Sequence, residues 1–134
     1  MTTPRAAGAE WSAVTASAKN TRASAPLDGK YFDMISSTSS VVAEDAPTRF
    51  LYREDSGVLW GEYVGDTVAV GRFVGRREDD VLHISFVHHG IDGSTAQGSA
   101  TSTLSTDDDG RLILTEEFAT PDGAQHVSVC REVA

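Results

Sequence analysis

Six turn signals between residues 54 and 123 leave the chain little room for anything but short strands. They are Glu54-Asp55-Ser56-Gly57, Val64-Gly65-Asp66, Glu78-Asp79-Asp80, Gly90-Ile91-Asp92-Gly93, Asp107-Asp108-Asp109-Gly110 and Pro121-Asp122-Gly123. Glycine reaches backbone angles closed to other residues, aspartate caps its own turn, and proline fixes φ. The short segments between them are rich in Val, Thr, Phe, Tyr and Ile, which suit a pleated, half-buried surface. No segment holds a 3.6-residue apolar period over three turns. Eight strands are therefore expected, near 30–36, 47–54, 58–64, 67–77, 81–89, 94–105, 111–119 and 124–133. Every linker except 37–46 is short, so successive strands run antiparallel; a parallel crossover needs a dozen or more residues. The expected fold is all-β, an eight-stranded antiparallel up-and-down meander closed into a small barrel. A two-sheet sandwich is the alternative. Closure would also remove the free edges through which strands aggregate.

Composition divides the chain in two. Residues 1–26 hold eight Ala, four Thr and three Ser, with Trp11 and Val14 almost the only large apolar side chains. Such a stretch buries too little surface to offset its ordering entropy, and it reads as a disordered tail. It has no continuous apolar core of the secretory type, although its acid-poor, Ser-bearing composition overlaps that of organelle transit peptides. Residues 27–134 form the expected barrel domain. Arg5, Lys19 and Arg22 against Glu10 give the tail +2, which leaves −11 for the domain of a chain whose net charge is −9. That balance argues against nucleic-acid partners and anionic membranes. No apolar run approaches the roughly 20 residues of a bilayer-spanning helix. Cys130 is the single cysteine, which excludes an internal disulfide and a cysteine-based zinc cluster. Together these features point to a cytoplasmic location and to no metal or other cofactor.

Alternation assigns the faces. Phe50 and Tyr52 share one face of their strand. Leu82, Ile84, Phe86 and His88 share another, as do Leu112, Leu114, Glu116 and Phe118. In 67–77, Ala69, Gly71, Phe73 and Gly75 alternate with Val68, Val70, Arg72 and Val74. Gly71 and Gly75 are weak strand formers and mark bends, bulges or the close approach of an aromatic ring. His88 and Glu116 thus end runs of large hydrophobics on the inward face, with Tyr52 beside them. A carboxyl among apolar groups titrates high unless a donor meets it, and a histidine or tyrosine is a suitable donor. The cluster is either a hydrogen-bonded network that sets strand register or a ligand-orienting site. Trp60, Tyr63, Phe86 and Phe118 are aromatics able to stack a flat ligand, or simply core. The candidate ligand-binding residues are therefore Tyr52, Trp60, Phe86, His88, Glu116 and Phe118.

Other motifs carry less. His88 and His89 point to opposite faces and cannot easily share a metal. Asp107-Asp108-Asp109-Gly110 lacks the ligand spacing and distal glutamate of an EF-hand, and reads as a hairpin turn. There is no nucleophile elbow, dinucleotide-binding fingerprint or Walker sequence.

Several stretches, in order, carry a resemblance. They are Leu27-Asp28-Gly29-Lys30-Tyr31-Phe32, Phe50-Leu51-Tyr52, Leu59-Trp60-Gly61-Glu62-Tyr63, Gly71-Arg72-Phe73-Val74-Gly75, the run from Leu82 to His88, and the run from Gly110 to Phe118. The ordered set resembles a small bacterial family of single-domain β proteins, many of which bear the name N-acetylglutamate synthase. His88, Glu116 and Glu117 fall where members of that family tend to carry His and Glu. The chain departs from it at Phe118-Ala119-Thr120 and at Val87. The resemblance implies a fold but not the named chemistry. Acetyl-CoA-dependent N-acetyltransferases of the usual kind have a mixed α/β fold and a Gln/Arg-x-x-Gly-x-Gly/Ala loop, whereas Gln97-Gly98-Ser99-Ala100 has the wrong spacing. The leading expectation is a barrel that binds a small hydrophobic or mixed-polarity molecule. The alternatives are a barrel enzyme of cyclase, isomerase or transferase type, the family's inherited name included, that uses an inward His/Glu pair, and an interaction domain with a filled core.

Overall fold

The computed structural model describes residues 25–39 and 42–134. The expected tail thus lies outside the described residues, except for Ala25 and Pro26. Eight strands follow one another: β1 (Lys30–Ser37), β2 (Arg49–Asp55), β3 (Val58–Gly65), β4 (Val68–Glu78), β5 (Val81–Gly90), β6 (Thr95–Thr106), β7 (Leu112–Ala119) and β8 (Gln125–Glu132). Each pairs antiparallel with the next, and β1 pairs antiparallel with β8, so the sheet closes into a barrel. Closure decides against the two-sheet sandwich. The turn chemistry works as its residues require: Ser56 and Gly57, between β2 and β3, have φ of 53° and 83°. Two successive positive φ values match the right-handed twist of the flanking strands in a two-residue hairpin.

The two ends of the barrel differ. At one end Leu27, Leu59, Leu82, Leu104 and Leu112 are buried and plug the interior. Fully burying a side chain of this kind contributes roughly 1.5–3 kcal/mol. Residues 25–27 are strapped across this end. Arg77 Nη1 donates to the Ala25 carbonyl at 2.8 Å, the Leu27 amide donates to Glu54 Oε1 at 2.9 Å, and Arg77 pairs with Glu54 at 3.1 Å. At the other end lie residues 38–39 and 42–48 and the turns after β3, β5 and β7, and there the inward side chains are aromatic and polar.

The expected alternation is observed on β2, β5 and β7 and fails at the start of β4. Val68 is buried, whereas Ala69 and Val70 are both exposed. The register between β4 and β5 shifts between Val68 and Val70. Such an irregularity re-aims the side chains on one side of it, and the expected phase resumes from Gly71. That glycine answers to close approach. A Cβ there would stand 2.5 Å from the Tyr63 ring, and one at Gly61 would stand 2.5 Å from the Phe73 ring. Each ring lies flat over the glycine directly opposite it on the neighbouring strand.

Candidate functional site

Between the leucine plug and the open end is a cavity of about 300 Å³. Its aromatic wall comes from β2, β3, β4, β5 and β7, through Phe50, Tyr52, Tyr63, Phe73, Phe86 and Phe118. Tyr52 packs against Phe73 at 4.7 Å between ring centroids, and Phe50 stacks on Tyr63 at 4.9 Å. The rings are therefore held by one another before any ligand arrives.

Five of the six residues expected at a site line this cavity: Tyr52, Phe86, His88, Glu116 and Phe118. The expectation for Trp60 is corrected. It lies on the outer face of β3 and is 41% exposed, while Leu59 and Tyr63 point inward. Residues three apart on a regular strand face opposite ways, so Trp60 and Tyr63 cannot both line the cavity. Tyr63 is the one that does, and parity with Leu59 was the signal that could have placed it.

The polar groups are arranged in two separate sets. His88 does not meet Glu116. Its Nδ1 instead bonds the Tyr63 hydroxyl at 2.9 Å. Register explains the choice: Tyr63 sits opposite Gly71 on β4, and Gly71 sits opposite His88 on β5. The ring crosses the glycine and reaches the imidazole. Burial, then the neighbouring His89, lowers the His88 pKa, which favours neutral imidazole. Burial, then the charge of Glu116, raises the Tyr63 hydroxyl.

Glu116 forms the second set. On β7 it stands between Ser102 of β6 and Ser128 of β8, both 1% exposed. Ser128 Oγ donates to Ser37 Oγ at 3.2 Å, and Ser102 Oγ has no hydrogen-bond partner among the described residues. The Glu116 carboxyl likewise has no hydrogen bond or ion pair among them; its remaining accessibility opens onto the cavity. Burial pushes it up to about 7. Near the mouth, Asp66 is satisfied instead. It accepts from the amides of Ala43 and Thr48 at 2.6 and 2.7 Å and from Thr48 Oγ1 at 2.7 Å. Burial would raise its pKa, but these donors outweigh burial and lower it.

A sequence model described as avidin-like protein matches residues 25–133, the whole barrel. The chain belongs to the avidin-like protein family. This overturns the resemblance to the family that bears the name N-acetylglutamate synthase. The motifs behind that resemblance are strand-and-turn patterns that small antiparallel barrels share, and they do not separate one such family from another. The avidin-like barrel is a fold known for binding small ligands in its interior. No curated protein and no solved structure gives a significant match. In this avidin-like chain the interior offers a ring-lined wall, a neutral Tyr63–His88 pair and a carboxyl with no partner among the described residues.

Proposed function

We propose that this avidin-like barrel binds one small molecule of mixed polarity in its open-ended cavity. The observation that carries the reading is the combination, in one cavity of about 300 Å³, of an aromatic wall with a carboxyl that has no partner among the described residues. Binding sites of this kind are mostly apolar with a few placed polar groups, and a buried polar group left unmade is costly. A ligand that supplies the missing hydrogen bond recovers that cost. The cavity volume lies at the small end of the range for ligand pockets, so the ligand is compact. The test is native mass spectrometry of protein purified from its own host, with titration of an environment-sensitive apolar fluorophore alongside. The expected result is one retained molecule per chain that competes with the fluorophore. A bare protein that also fails to bind the fluorophore defeats the reading.

A second reading, acid–base catalysis, draws support from one observation. A carboxyl that titrates near 7 is poised to give or take a proton at neutral pH. The same preparation tests it. If the retained molecule is chemically altered on incubation with fresh wild-type protein, and not with Glu116→Gln, the barrel is an enzyme.

A further inference from the structure

We infer that the molecule bound in this barrel is an organic ammonium: an apolar body carrying a protonated amine that pairs with Glu116 among the aromatic rings. The inference rests on the binding reading above and gives it a substrate class.

Three observations converge on a cation. The first is the carboxyl itself, partly buried on the cavity wall with no donor among the described residues. A buried acid that the protein meant only as structure would be expected to hold a donor, as Asp66 does with three. The second is the charge of the lining. Among the described residues, no lysine or arginine lines the cavity; its titratable groups are Asp66, His88, Glu116, Tyr52 and Tyr63. Burial holds both phenols in their neutral form and favours neutral His88. Burial, then the nearby charge of Glu116, holds the Cys130 thiol neutral as well. At pH 8 the charges presented to a ligand are therefore negative ones, from Asp66 and Glu116. An anion would enter against them with no cationic side chain among the described lining residues to pair with. The third is the wall. Phe50, Tyr52, Tyr63, Phe73, Phe86 and Phe118 surround the same space, and ring faces attract a desolvated cation. A carboxylate within an aromatic enclosure is the arrangement that rewards an ammonium group over a neutral isostere.

Calorimetry at pH 8 with three ligands of one shape decides the matter: 2-phenylethylamine, 2-phenylethanol and phenylacetate. The amine is expected to bind wild-type protein roughly tenfold or more tightly than the alcohol, because its hydrogen bond is charge-assisted, with the carboxylate weakest. Glu116→Gln keeps the shape and removes the charge, so the amine should lose its advantage while the alcohol is little changed. The inference is overturned if the alcohol or the carboxylate equals the amine in wild-type protein, or if the variant retains the amine preference. In those cases the barrel still binds small molecules, and only the ammonium assignment fails. Failure of all three ligands and of the apolar fluorophore would instead remove the binding reading and this inference with it. The wild-type ranking needs no variant, so it decides even if Glu116→Gln folds poorly.

Discussion

Moving the Glu116 carboxyl from water to the wall of this cavity costs more free energy when it is charged than when it is protonated. In the folded chain it titrates at about 7, against an ordinary value of 4.5. Between those values the folded protein keeps the proton and the unfolded chain releases it. Stability from this group is therefore complete below pH 4.5 and is lost as pH rises through 7. The difference is on the order of 3 kcal/mol at one pKa unit per ~1.4 kcal/mol. Glu116→Gln mimics the protonated carboxyl. It should match wild-type stability at pH 4.5 and exceed it at pH 8.5 by up to that amount. Urea unfolding at the two pH values checks this, and a variant weaker than wild type at pH 8.5 would show that the carboxylate has a partner after all.

At the scale of the element, the site depends on pairs of strands in which a small residue faces a large one. The Tyr63–Gly71–His88 row runs across β3, β4 and β5, and the glycine lets the ring lie flat between its neighbours. Gly71→Ala would place a methyl group inside a buried ring. It should destabilise the barrel by about 1–3 kcal/mol, the usual range for overpacking. It should also separate Tyr63 from His88. The imidazole pKa, followed by NMR, would then shift from its wild-type value. Replacing Tyr63 by Ala in the same protein should remove most of the added cost of the alanine, because the two changes share one contact. Full additivity would mean that the ring is not what the glycine accommodates.

The whole molecule holds together through a contact between the two ends of the described chain. β1 and β8 close the barrel by pairing residues about a hundred positions apart, such as Phe32 with Glu132 and Met34 with Cys130. Cys130 is 5% exposed beside that seam, and burial, with Glu116 and Asp33 nearby, raises its thiol pKa. A thiol there should react with an aromatic disulfide reagent only when the barrel opens. Its reaction rate should rise with urea at the same midpoint as the loss of β-sheet circular dichroism. Fast labelling well below that midpoint would mean that the seam opens locally while the other strands stay paired.

Much of this molecule was legible in its sequence because much of it is local. Turn residues stop strands where they stand, and strict alternation settles which way Tyr52, Phe86, His88, Glu116 and Phe118 point. All eight strands were expected to within two residues of their observed ends. Parity even separates Trp60 from Tyr63. What the tertiary structure decided is relational. One register shift turned Val68 inward, and no periodicity in its own strand announces a shift set by a partner strand. His88 found Tyr63 rather than Glu116, because Gly71 lies between the first two across three strands. Whether a barrel is hollow depends on the summed volumes of side chains from eight strands. The plug of leucines at one end and the ring-lined space at the other exist only once closure has set those side chains facing one another.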